Sequence, residues 1–145
     1  PILMAERCSC EISTIRYADN GVTAISNGII VSDRYAEENP ETVAAFAQAT
    51  VEAIEAAIEN PEAAVDAFMA YATDTALSRE AVAQMWEETI VLLQTEATKG
   101  GPYGVTSADD WAATIETLVK FSDLPEGAVT PEDVATNEYL EAVSQ

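Results

Sequence analysis

Two pairs of neighbouring carboxylates, Glu87-Glu88 and Asp109-Asp110, are the first groups in this chain that could do chemistry. Adjacent acids can divide general-acid and general-base work when their surroundings push their pKa values apart. With 26 acidic residues in 145, however, such pairs arise freely. Both also stand where a helix favours exposed or dipole-complementing acids, so they are read as structural. There is no histidine, which removes Ser-His and Cys-His nucleophile pairs and most zinc sites. Cys8 and Cys10 are the only cysteines. One intervening residue strains a mutual bridge and no second pair completes a metal cage, so free or intermolecular thiols are expected. "GGPYG", Gly100 to Gly104, lacks the Lys-Ser/Thr of a phosphate loop and reads as a helix stop and turn. Trp86 and Trp111 fall on apolar helical stripes, where core packing is expected. No catalytic residue, metal ligand or cofactor is assigned, and the expectation is a protein that is not an enzyme.

Residues 12–32 are the β-rich part of the chain. "ISTIRY" and "AISNGIIVS" are rich in β-branched residues and are separated by the turn signal Asp19-Asn20-Gly21. Ile29, Ile30 and Val31 form a continuous apolar run, as in a strand buried on both faces. Asp19, Asn20, Ser26, Asn27 and Gly28 cluster at the ends of these stretches. They are either ordinary turn chemistry or ligand contacts, since strand ends of α/β proteins are where ligands usually sit.

Ser32 can cap a short turn, "DRYAEE", and from there onward the period is helical. Val43, Phe46, Ala47, Thr50, Val51, Ile54 and Ile58 recur at spacings of three and four. "ENPE" occurs at Glu38–Glu41 and again at Glu59–Glu62. Asn caps, Pro suits the first helical position and Glu complements the dipole, so each copy ends one helix and starts the next. Ser78 caps a further helix that runs to Gly100-Gly101, Ser107 caps the next, and Thr130-Pro131-Glu132-Asp133 opens a turn of the same kind. A last short helix is expected near Glu138 to Val143. The fold class expected is predominantly α with two or three short N-terminal strands. Two strands alone are marginal in water, which suggests part of something larger.

The formal charge of −20 repels phosphate backbones and anionic lipid, so nucleic acid and membrane surfaces are poor partners. The charge reads as a solubility coat, with an acidic helical module recruiting a basic protein partner as the alternative. No segment approaches the roughly 20 apolar residues of a membrane span. "PILMAERCSC" has neither a basic n-region nor a cleavage-type site, so no signal peptide is read there.

Three ordered blocks resemble a known family. "SNGIIVSDRYAEENPETVAAFAQATVEAIEAAIENPEAAVDAF" looks like the carboxyl-terminal part of ABC-transporter solute-binding proteins, in the subset related to thiamine-pyrimidine-precursor binding and synthesis proteins. "TEATKGGPYGVTSADDWAATIETLVKF" is similar to the family's Thr-x-x-Thr-x-Gly…Gly…Asp-Trp…Leu pattern, and "TPEDVATNEYL" to its Thr-Asn-Glu-aromatic-Leu ending. The resemblance implies the C-terminal portion of a two-lobe α/β periplasmic-binding-protein fold (type II). Residues 1–32 would then be the strand-rich end of lobe two with the crossing strand, and residues 33–145 helices that pack on lobe one. It implies a small-molecule ligand in the intact protein, such as a thiamine-pyrimidine precursor, related heteroaromatic or oxyanion. It also implies a membrane permease as partner and a periplasmic or extracytoplasmic location. The cleft and hinge of such a fold make Asp19, Asn20 and Asn27 the positional candidates for ligand binding. Helix faces meant for another lobe must be covered, so a homo-oligomer is expected, using the "NGIIVS" edge.

Overall fold

The computed structural model describes residues 1–22, 24, 25 and 27–141, without the side chains of Glu6 and Glu141. Ser26 and the Val143 end of the last expected helix lie outside the described residues. The helices are α1 (Ile2–Cys8), α2 (Asp33–Glu38), α3 (Pro40–Glu59), α4 (Pro61–Tyr71), α5 (Arg79–Ile90), α6 (Ala108–Phe121), α7 (Pro131–Val134) and α8 (Glu138–Glu141). A 3-10 turn covers Ala18–Asn20.

The expected strands are not there: among the described residues the backbone from Val22 to Ser32 is irregular and joins no strand ladder. A strand exists by virtue of the ladder beside it. No described segment offers one to "NGIIVS", and Ile29 and Ile30 remain 54% and 97% exposed. The turn signal itself holds. Gly21 takes φ 78° after the 3-10 turn, and its N–H donates to the Ala18 carbonyl.

Helix starts follow local chemistry. Ser32, Asn60, Ser78 and Ser107 each accept a hydrogen bond from the backbone N–H three residues on, at 3.4, 3.1, 3.1 and 3.1 Å. Asn39 departs from expectation. Its side-chain amide reaches back to the Tyr35 carbonyl at 3.3 Å and closes α2 instead of capping α3. Helix α5 stops at Ile90, ten residues before the expected Gly100-Gly101. Beyond it, Gln94 Nε2 donates to the carbonyls of Thr98 (3.1 Å) and Gly101 (2.8 Å), which wraps the chain into turns instead of a helix.

Helix α1 was not expected, and neither was the bridge that follows it: Cys8 and Cys10 form a disulfide. The expectation of free or intermolecular thiols fails because Ser9, at the end of α1, adopts φ 51° and ψ 43°. That left-handed step folds the chain back and brings the two Cα atoms to 5.2 Å, within the range a disulfide spans.

The contacts fall into two units, residues 1–15 with 52–93 and residues 16–51 with 94–145. In the first, α5 packs on α4 and α1, with Val65, Ala81 and Val82 buried. The indole of Trp86 donates to the Ala57 carbonyl at 3.0 Å. Ala57 lies in the last turn of α3, so this bond satisfies one of the carbonyls that a helix end leaves without a partner. In the second unit α6 packs on α7, and Ala36, Val51 and Thr114 are buried.

Helix α7 carries a reciprocal cap. The N–H and hydroxyl of Thr130 both donate to Asp133 Oδ2, at 2.8 and 2.9 Å. These bonds, the backbone one first, hold the Asp133 carboxyl below its ordinary 3.8. A depressed carboxylate stabilises the fold above its unfolded pKa, and that stabilisation is lost as pH falls through the folded value. The contribution of this cap is therefore expected to be complete at neutral pH and to disappear only below 3.8. An NMR titration of the Asp133 carboxyl checks this. Thr130→Ala keeps the N–H and loses the hydroxyl, so it should return the midpoint part of the way; an unmoved midpoint would assign the shift elsewhere.

Candidate functional site

A well-connected polar cluster lies in the second unit, where the turns after α5 meet the start of α6. Asp110 Oδ2 accepts from the hydroxyls of Thr95 at 2.6 Å and Ser107 at 2.7 Å. Thr95 N donates to Thr98 Oγ1 at 3.0 Å, which locks the turn that presents Thr95. Asn137 lies 31 residues from Thr106 in sequence and pairs with it twice. Its Oδ1 accepts from Thr106 N at 3.1 Å and its Nδ2 donates to Thr106 O at 2.8 Å. Between them Gly104 sits with φ +85° against Leu140 and Val51.

This cluster is a clasp, and its chemistry is used up in holding loops together. The Asp110 carboxylate is bound by two hydroxyls and serves the α6 N-terminus, as the structural reading of Asp109-Asp110 has it. The Thr106 hydroxyl and the Trp111 indole N–H are buried here with no hydrogen-bond partner among the described residues. Trp111 is half-buried, as a core role requires, but among the described residues its N–H meets no acceptor, unlike that of Trp86. Sequence reasoning identified Ser107 as a cap and missed Thr95 as a partner of Asp110 and Asn137 as the partner of Thr106. A "TxxT" before a Gly-Gly turn was the available signal for Thr95.

Asp19 and Asn20 share the exposed 3-10 turn, where Asn20 Nδ2 donates to the Arg16 carbonyl at 2.9 Å. This bond fixes the orientation of the amide. Asn27 is also exposed, in the irregular stretch beyond Ile25. Thr114 positions that stretch, which sequence reasoning did not foresee. Its buried hydroxyl donates to the Asp110 carbonyl at 2.8 Å and accepts from Ile25 N at 2.9 Å, pinning the stretch to α6. The three candidates thus stand on either side of one anchor.

A cavity of about 310 Å³ lies elsewhere, in the first unit. Phe68, Leu77, Met85 and Trp86 form much of its wall, and none of the three candidates reaches it. Its size is at the lower end for small-molecule pockets, but those pockets add a few convergent polar groups for orientation. Here the Trp86 N–H is already spent on Ala57.

The family described as "NMT1/THI5 like" matches residues 2–64, from α1 to the start of α4. The chain is also similar to the riboflavin-binding protein RibY of Chloroflexus aurantiacus, 27% identical over 116 residues. That alignment covers 79% of this chain and 33% of RibY, so the chain spans about a third of the length of this curated relative. It is longer than the family match, so the similarity extends past residue 64. No solved structure matches. Both findings agree with the family resemblance drawn from the sequence blocks.

Proposed function

We propose that this chain is part of the solute-binding component of an ABC-type importer. In this reading it takes up a small planar heteroaromatic outside the cytoplasm and delivers it to a membrane permease. The observation that carries the reading is the family match over residues 2–64, extended by the similarity to a riboflavin-binding protein. A thiamine-pyrimidine precursor is the finer reading, and the relative's name adds riboflavin as a second ligand of the same chemical kind. Both are flat rings edged with hydrogen-bond donors and acceptors. Asp19 supplies two acceptor oxygens for ring N–H and amino groups, Asn20 a fixed carbonyl oxygen, and Asn27 a full amide. Residues 1–32 would belong to the crossing segment between lobes and residues 33–145 to the helices on lobe one of a two-lobe fold that closes by hinge motion. The role asks for binding and release, with no bond made or broken in the ligand.

Calorimetry with riboflavin and with the thiamine pyrimidine tests this, on the chain together with all sequence that adjoins it in its gene. A charge-assisted hydrogen bond contributes about 1.5–3 kcal/mol, so Asp19→Ala is expected to weaken binding about 10- to 100-fold. No heat with either ligand would sink the reading, and undiminished binding by the variant would remove Asp19 from the site. Self-association through the "NGIIVS" edge, residues 27–32, with Ile29 and Ile30 exposed, belongs to the same reading. A strictly monomeric light-scattering profile at micromolar concentration would discard that part alone.

A further inference from the structure

The "CSC" segment has no part in the reading above, yet its bridge is unlike a structural staple in three respects. It closes a loop of Cys8, Ser9 and Cys10 only, and a cross-link constrains the unfolded chain less the shorter the loop it closes. It joins the end of α1 to the residue two further on and so ties no second element to the fold. Both cysteines are exposed, and Ser9 between them is the one non-glycine residue at positive φ among the described residues. Left-handed backbone is costly for a side-chain-bearing residue, and opening the ring would release that constraint.

We propose that Cys8–Cys10 is an exchangeable surface disulfide, a site at which small-molecule thiols form and release a covalent bond. Cys8 ends α1, where the negative end of the helix dipole disfavours a thiolate, whereas Cys10 lies beyond the helix. The better leaving group is therefore Cys10, and attack falls on Cys8. A thiolate RS⁻ bonds to Cys8 Sγ, the Cys8–Cys10 bond breaks, and its electron pair leaves on Cys10 Sγ, which takes a proton from water. A second RS⁻ then attacks the sulfur of R in the mixed disulfide, giving RSSR and the Cys8 thiolate, which is protonated in turn. Two thiols are oxidised and one disulfide is reduced. Because the chain carries a net charge of −20, neutral or cationic thiols should react faster than anionic ones.

Equilibration in glutathione buffers, acid quenching and differential alkylation test this on the intact chain. Trypsin cuts after Arg7 and Arg16, so both cysteines fall in one peptide, residues 8–16, for mass spectrometry. Half-opening is expected at a ratio of reduced to oxidised buffer about a thousandfold less reducing than a long-loop structural disulfide needs. The trapped mixed disulfide should sit mainly on Cys8, and cysteamine should outpace glutathione. The thermal midpoint of the reduced chain should match that of the oxidised chain. A bridge that stays closed in such buffers, or a midpoint that drops on reduction, overturns the proposal. Adducts mainly on Cys10 overturn the assigned direction of attack.

Discussion

Gly104→Ala is expected to cost about 2–4 kcal/mol of stability, combining the strain of a left-handed side-chain-bearing residue with overpacking. Gly104 holds φ +85°, a conformation L side chains rarely adopt. A Cβ built there would stand 3.2 Å from Leu140 Cδ1 and 3.2 Å from Val51 Cγ2. Leu140 could turn its end away. Val51 is buried and β-branched on α3, so its methyl has one preferred place and little room to yield. Gly127 supplies the control. It too has positive φ, +73°, but nothing lies within 4 Å of its Cβ position. Gly127→Ala should therefore show the backbone term alone, about 1–2 kcal/mol. Urea unfolding followed by helical ellipticity measures both variants. If the two cost the same, the close approach of Leu140 and Val51 contributes nothing and the packing argument fails.

That glycine illustrates what could be read in advance. "GGPYG" was legible as a turn, because glycine and proline act on their own backbone. The side chains that make Gly104 irreplaceable come from Val51 and Leu140, more than thirty residues away on either side. The same division runs through the chain. Ser32, Asn60, Ser78 and Ser107 were legible as caps because a cap reaches only three residues. The strands at residues 12–32 were misread because β-branched composition marks a segment suited to pairing and cannot supply the neighbour. The reach of α5 was overestimated because the apolar stripe continues through Leu93, while the side chain of Gln94 diverts the chain. The Cys8–Cys10 bridge was missed because a left-handed Ser9 carries no mark in composition.

The candidate site divides in the same way. Asp19, Asn20 and Asn27 could be singled out as polar residues at turns. The buried Thr114 hydroxyl that pins their segment through Ile25 lies 89 residues away in sequence and could not. The family resemblance worked across such distances because it draws on whole ordered blocks. Its second and third blocks, residues 95–121 and 130–140, prove to be two halves of one clasp.

Asn137→Ala is expected to cost about 2–4 kcal/mol, because it strands both the N–H and the carbonyl of Thr106 in a partly buried site. The loss exceeds that of an exposed cap because two backbone groups are left unpaired at once. Asn137→Asp separates the two bonds. It keeps an acceptor for the Thr106 N–H at 3.1 Å but has no donor for the Thr106 carbonyl, so an intermediate loss is expected. The double variant with Gly104→Ala adds a sharper test. Gly104 and Thr106 share a loop, and Leu140 lies three residues past Asn137, so both changes loosen the same junction. Their costs should sum to more than the double variant shows, by at least about 0.5 kcal/mol. Strict additivity would mean that the hydrogen-bonded pair and the glycine contact act separately. The Thr-Asn-Glu-aromatic-Leu ending would then be two unrelated features instead of one clasp that closes over the α6 N-terminus.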